Sequence, residues 1–208
     1  MSMKVLHIDA FCPEPQLIQE AAEIALQGVP IILPTDTVYG IGVAVLESSS
    51  PEGIYAIKQR DLDKAIPWLV ADSQALELYG KDLPSYARDL AQRHWPGALT
   101  LIVRASDKVP PAFRAEDGSI ALRAPACPVA LALISEMGVP LATSSANLQG
   151  NEPAQSFETL DGELKRRVGL VIDGGECPAK LASTIVSCMD EAPRMLREGP
   201  VALESLLP

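Results

Sequence analysis

Aromatic side chains make up only 4% of this 208-residue chain, and histidine occurs twice, at His7 and His94. With 48% hydrophobic residues, the core has to be built from Ala, Val, Leu and Ile. Two histidines supply a Ser-His-Asp or Cys-His machine poorly, and His94, ahead of Trp95-Pro96-Gly97, reads as a capping or packing residue. The four cysteines (Cys12, Cys127, Cys177, Cys188) form no CxxC pair and have no neighbouring histidine. A zinc finger is thereby disfavoured, and the thiols read as reduced and mostly buried. No apolar run approaches the roughly 20 residues that span a bilayer. The first five residues, Met1-Ser2-Met3-Lys4-Val5, lack the long apolar stretch of a signal peptide. The expectation is a cytoplasmic protein without membrane contact. There is no G-x-x-x-x-G-K-[ST] loop and no G-x-G-x-x-G in a βαβ context, so neither a P-loop nor a dinucleotide fold is indicated. Positive charge is also scarce: 17 Lys+Arg stand against 27 Asp+Glu, a net charge of −10. That argues against a protein that coats nucleic acid. It leaves room for a local anion site, because screening over about 8 Å lets a few converging cations dominate their own pocket.

What is present begins with Pro34-Thr35-Asp36-Thr37-Val38-Tyr39-Gly40-Ile41-Gly42. The apolar run 29–33 ahead of it reads as a buried strand, and polar groups and glycines at a strand end are where α/β proteins place ligands. Along the chain, strands are predicted at 4–9, 29–33, 38–45, 67–71, 98–104, 119–123, 141–144, 170–173, 183–189 and 194–196. Helices are predicted at 16–27, 51–58, 73–79, 85–94 with Ser85 as N-cap, 128–137 stopping at Gly138, and 157–168. Strands outnumber helices and several adjoin in sequence. The fold class is therefore α/β, a twisted mixed sheet with packed helices, in a single domain over 1–208.

Two constellations could carry chemistry. Lys58, Arg60, Arg123 and Arg197 are the first; the two arginines at 123 and 197 each end an apolar strand, where a pointed charge is expected. Guanidinium groups offer paired donors matched to carboxylate and phosphate. Lys58 and Arg60 could equally be solvated surface charge. The second is Thr143-Ser144-Ser145-Ala146-Asn147, which leaves a strand for a turn ending at Gly150. Its hydroxyls and amide suit a phosphate or polyhydroxy ligand, or a turn that satisfies its own backbone. Ser183-Thr184 is a weaker case of the same kind.

In order along the chain, the 34–42 motif, Lys58-Gln59-Arg60, His94-Trp95-Pro96-Gly97 with Ala98-Leu99-Thr100, Ile120-Ala121-Leu122-Arg123, Thr143 to Asn147 and Ser183-Thr184-Ile185-Val186 resemble the YrdC/Sua5/TsaC family, the threonylcarbamoyl-AMP synthases. The resemblance implies the family's YrdC-like twisted sheet with a deep cationic cavity, and a nucleotidyltransferase. L-threonine, bicarbonate and ATP, with Mg2+, would give threonylcarbamoyl-AMP and pyrophosphate for N6-threonylcarbamoyladenosine at tRNA position 37. Partners would be tRNA and the tRNA threonylcarbamoyl-transfer enzyme complex. By position, Lys58, Arg60, Ser145 and Asn147 would be catalytic and, with Arg197, face ATP and the adenylate. Thr35, Thr37, Arg123, Thr143 and Ser183 would line the threonine and carbamate side. Tyr39 is either a pocket wall or a packed core tyrosine, and Asp36 positions a substrate hydroxyl or amine, or stabilises a turn. No metal ligand can be named.

The chemistry suits these residue types. A dianionic threonine carbamate must meet a tetra-anionic nucleotide, and a cationic pocket offsets that repulsion. Departures from the family pattern are Asp61 in place of a common Pro, Gln149 in place of Ser, and Ala71 where some members carry a His in the threonine pocket. The chain would be the short form, without the second domain of larger members. The rival readings are a carbamoyl-adenylate-forming domain of hydrogenase maturation, a paralogue of the same fold without synthase activity, and a double-stranded RNA or ribosome-assembly binding module.

Overall fold

The computed structural model describes residues 3–46, 49–58 and 66–206. Strands are β1 (Lys4–His7), β2 (Ile31–Leu33), β3 (Gly40–Ala44), β4 (Trp68–Leu69), β5 (Gly80–Lys81), β6 (Leu99–Ala105), β7 (Ser119–Arg123), β8 (Leu141–Ser145), β9 (Leu170–Asp173), β10 (Thr184–Ser187) and β11 (Arg194–Arg197). Helices are α1 (Pro15–Ala25), α2 (Glu52–Lys58), α3 (Gln74–Tyr79), α4 (Ser85–His94), α5 (Pro128–Met137) and α6 (Gly162–Arg166). The strands join one mixed sheet in the order β1-β9-β2-β3-β8-β4-β7-β6-β10-β11, with β5 paired to one end of β6.

Strand alternation divides the core in two. Ile32, Ile41, Trp68, Leu101, Leu122, Ala142 and Val186 face the side covered by α2 and α4. Ile31, Leu33, Ala44, Leu141, Leu170 and Ile172 face the other side, where α1 and α5 lie over them. Among the described residues, the aliphatic cluster beneath α1 and α5 reaches as far as Leu69. The register carries the same face onward: Leu69 pairs with Leu141 and with Arg123, and Ile185 pairs with both Thr100 and Arg197. A row that begins as packed aliphatics therefore ends as Arg123, Thr100 and Arg197.

Helix α5 ends as its sequence indicates, with Gly138 left-handed at φ 67°. The polar stretch 157–168 is helical only at Gly162–Arg166. The Asp161 carboxylate accepts from the backbone N–H groups of Glu163 and Leu164. Upstream, the Thr159 hydroxyl holds a turn by accepting from Gln155 and Ser156. Those side-chain bonds compete with helix there. Ser85 lies within α4, whose N-cap is Pro84, with no side-chain capping bond. The expected strands at 67–71 and 183–189 shrink to β4 and β10, and β5 has no counterpart in the sequence reading.

Gly40 and Gly42 are required by packing. Gly40 pairs with Ser145 and Gly42 with Thr143 across the β3–β8 ladder. A Cβ on Gly40 would stand 2.5 Å from Thr143 Cγ2, and one on Gly42 2.8 Å from Thr143 Oγ1 and 2.9 Å from the Ala142 carbonyl. Replacing Gly42 by Ala should cost about 1–3 kcal/mol of stability through overpacking. Urea unfolding measures it; an unchanged midpoint would show that β3 and β8 can separate freely.

Candidate functional site

Beside Leu69 lies a partly open cavity of about 250 Å3, lined among others by Thr35, Thr37, Tyr39, Leu69, Thr100, Arg123, Thr143, Ser145, Ser183 and Arg197. Most of the polar positions singled out in the sequence meet here. The turn at 35–38 is self-supporting: the Thr35 hydroxyl donates to the Val38 carbonyl at 2.7 Å and accepts from the backbone N–H groups of Thr37 and Val38. The same hydroxyl lies 2.9 Å from the hydroxyl of Thr37.

Arg123 is the structural centre. Its Nε donates to the Gly97 carbonyl and its Nη1 to the Thr37 hydroxyl, each at 2.9 Å, and its Nη2 donates to the Asp36 carboxylate. Both side chains of that ion pair are below a tenth exposed. Burial pulls the Arg123 pKa downward, and the Asp36 charge opposes that pull. The carboxylate of Asp36 is thereby committed to Arg123, which resolves its open role. Its carbonyl accepts from the Ala179 N–H, tying the turn to the loop before Ser183.

Arg197 is gripped by one residue. Its Nε donates to the Ser183 carbonyl at 2.9 Å and its Nη2 to the Ser183 hydroxyl at 3.1 Å. Burial lowers its pKa first and the charge of Arg123 second, so the two guanidiniums feel each other. The Ser183 hydroxyl also meets the Thr100 hydroxyl at 2.8 Å. Thr143 donates to the Leu141 carbonyl at 3.0 Å.

At the rim, the cluster expected from sequence assembles through Ser145. The Lys58 ammonium, at the end of α2, donates to the Ser145 carbonyl, to the Ser145 hydroxyl at 3.2 Å and to Asn147 Oδ1 at 3.1 Å. Lys58 is 3% exposed, which excludes the reading of a solvated surface charge. The Asn147 amide donates to the carbonyls of Leu148 and Asn151, and the Gln149 N–H donates to the Lys58 carbonyl, so the loop is laced to the helix end. Arg60 and Asp61 lie outside the described residues.

Other expectations sort as follows. Tyr39 serves in both of its open roles: it is fully buried, lines the cavity, donates to the Gly175 carbonyl at 2.9 Å and accepts from the Gly174 N–H. Burial raises its pKa. Ala71 is exposed and borders a separate groove near α3 and α5, so it is no part of this pocket. The β4 residue that reaches the cavity is Leu69, two positions earlier on the alternating face. His94 packs against the Ser205 carbonyl at 3.2 Å. Cys127, Cys177 and Cys188 are buried and Cys12 is exposed, all of them free thiols. Burial pushes Cys177 up to about 11 and Cys188 up to about 12. Sequence reasoning missed Thr100, the Gly97 carbonyl and Leu69 as parts of the site. Two of these stand in quoted motifs, and only the pairing register brings all three beside Arg123.

The family model described as telomere recombination, Sua5/YciO/YrdC, matches residues 23–199. The chain belongs to this family. It is 37% identical over 194 residues to the threonylcarbamoyl-AMP synthase of Bacillus subtilis, covering 93% of this chain and 56% of that protein. It thus spans little more than half of that relative's length. The structure of Pyrococcus abyssi Sua5 in complex with L-threonine superposes with a TM-score of 0.90 at 30% identity, over 98% of this chain and 59% of that one. Escherichia coli YciO superposes at 0.87 and 27% identity, over 99% of both chains. Among the described residues, no helix is long and apolar enough to cross a membrane.

Removing one partner of the buried pair leaves an unanswered charge. Asp36→Ala should therefore lower stability by about 3–5 kcal/mol, and adding Arg123→Met should recover most of it. Chemical denaturation of the single and double variants measures this; equal loss in both would show that the pair is not coupled.

Proposed function

We propose that this chain is a threonylcarbamoyl-AMP synthase that condenses L-threonine, bicarbonate and ATP and releases pyrophosphate. The observation that carries the reading is the continuity of two environments through Ser145: a pocket with two guanidiniums and several hydroxyls, and the Lys58–Ser145–Asn147 cluster. A volume of about 250 Å3 suits an amino acid and is too small for a nucleoside triphosphate, since pockets for larger ligands run from about 300 to 1,000 Å3. Threonine belongs inside, beside Thr35, Thr37, Arg123, Thr143 and Ser183. ATP belongs along the rim, with its phosphates toward Lys58, Ser145 and Asn147; Arg60 joins them by its place in the Lys58-Gln59-Arg60 motif alone. Arg197 is assigned to the ATP and adenylate side. Thr35 contributes by shaping the turn, because its hydroxyl proton is already committed.

In this reading the threonine amine attacks the bicarbonate carbon, water leaves, and a carbamate forms. A carbamate oxygen then attacks the α-phosphorus while the bond to the β-phosphate breaks and pyrophosphate departs. No side-chain nucleophile is required. The residues hold the reactants in line and neutralise converging negative charge, and in displacements of this kind positioning and electrostatics supply most of the rate. Mg2+ enters as part of the nucleotide substrate. Among the described residues no group of three or more His, Cys, Asp or Glu gathers to ligate it, and Asp36 is engaged by Arg123. The adenylate would pass to the tRNA threonylcarbamoyl-transfer enzyme complex, with cytoplasmic tRNA as acceptor.

Binding double-stranded RNA without synthase chemistry is the weaker reading. Its contacts would need cations spread over an accessible face, whereas Lys58 and Arg123 are 3% and 6% exposed.

Incubation with ATP, Mg2+, bicarbonate and L-threonine should release pyrophosphate only when threonine is present. Lys58→Ala or Arg60→Ala should each cut turnover by at least about two orders of magnitude, the scale of losing one charge-stabilising donor. Threonine-independent or absent pyrophosphate would overturn the reading, and near-normal rates in both variants would remove them from the chemistry.

A further inference from the structure

The last turn of a helix leaves backbone carbonyls without intrahelical partners, and α2 ends on Lys58, the residue that serves the rim cluster. Two of those carbonyls are answered from remote parts of the chain. The Lys58 carbonyl accepts from the Gln149 N–H at 3.2 Å. The Ile57 carbonyl accepts from Arg167 Nη1 at 3.1 Å, across 110 positions of sequence. Arg167 is itself aimed. Its Nη2 donates to the Glu163 carboxylate four residues earlier, and its backbone N–H donates to the Leu164 carbonyl at 3.1 Å. Glu163 and Leu164 belong to α6, whose start Asp161 fixes and whose Leu164 is fully buried in the core. Arg167 does not line the cavity.

The chemistry of the contact suits a brace. A cation at a helix C-terminus meets the partial negative charge of the aligned carbonyls. A planar guanidinium can hold a carbonyl with one arm and a carboxylate with the other. One bond, from Gln149, would leave the end of α2 free to turn about it. A second, on the neighbouring carbonyl, removes that freedom. The Lys58 ammonium reaches Ser145 and Asn147 from this helix end, so a small turn would carry it off both. We propose that Arg167 is a positioning residue for the synthase reaction. By holding the Ile57 carbonyl it fixes the end of α2, and with it the Lys58 ammonium, while Glu163 aims its guanidinium. This rests on the synthase reading and adds to it a residue outside the cavity.

Two readouts separate this role from a merely structural one. Amide hydrogen exchange reports the helix end and needs no turnover. In Arg167→Met the Gln149 N–H should exchange faster than in the wild type, with little change in melting temperature, because the Arg167 side chain is 32% exposed. In pyrophosphate release, kcat/KM for ATP should fall about three- to tenfold, while L-threonine affinity by calorimetry stays within about twofold. Glu163→Gln gives the deciding sign. It leaves the Arg167 charge in place and removes the charge of its carboxylate partner. If Arg167 acted on ATP through its own charge, that loss would raise the rate; a positioning role requires the rate to fall, as in Arg167→Met. Arg167→Lys keeps the charge and one donor for the carbonyl, and should recover part of the loss. A rate that rises in Glu163→Gln, or unchanged Gln149 exchange in Arg167→Met, would overturn the proposal and leave the synthase reading intact. If Arg167→Met does not fold, Glu163→Gln and Arg167→Lys carry the same two readouts. Wild-type protein without threonine-dependent pyrophosphate release would overturn the synthase reading, and the exchange measurement would still decide whether Arg167 holds the end of α2.

Discussion

A guanidinium buried on the face of a sheet has to be answered on every side, and the site is organised around meeting that demand for Arg123. Asp36 supplies the opposite charge, Thr37 a hydroxyl and Gly97 a carbonyl, from two segments far apart in the chain. Each of those groups is in turn held. Thr35 closes the turn that presents Asp36 and Thr37, and the Gly97 N–H donates to the Ala124 carbonyl at 2.8 Å. The ion pair is expensive to desolvate, and its weight lies in fixing geometry more than in adding stability.

The same economy explains the distribution of charge. The Asp36 carboxylate pairs with Arg123 while Arg197 bonds Ser183, so two guanidiniums line one cavity in a protein of net charge −10. Anions approaching an acidic protein meet attraction only where cations have been gathered and shielded from water. A low local dielectric strengthens that attraction over what the same residues would provide on the surface. The shortage of histidine and of accessible thiols is consistent with a site that works by positioning and charge instead of covalent catalysis.

Much of this was legible in the residues. Hydrophobic alternation and glycine stops located most elements, with helix 128–137 and strands 119–123 and 170–173 matching end to end. Local side-chain chemistry defeated the reading at 157–168, because Asp161 and Thr159 bind backbone N–H groups that a longer helix would need. Ala71 was misplaced for a related reason. A slip of one or two positions along a strand cannot be detected until pairing fixes which residue faces the pocket, and the register selects Leu69.

The chain's own order determined that polar residues cluster at strand ends, that two glycines follow the Thr-Asp-Thr run, and that cations are few and set apart. Tertiary structure alone decided that Asp36 answers Arg123, that Gly40 and Gly42 make room for Thr143, and that Thr100 stands beside Ser183. The reason is separation: residues 36 and 123, or 100 and 183, share no local periodicity. Only the register of a sheet whose neighbours are distant in sequence brings their side chains onto one face.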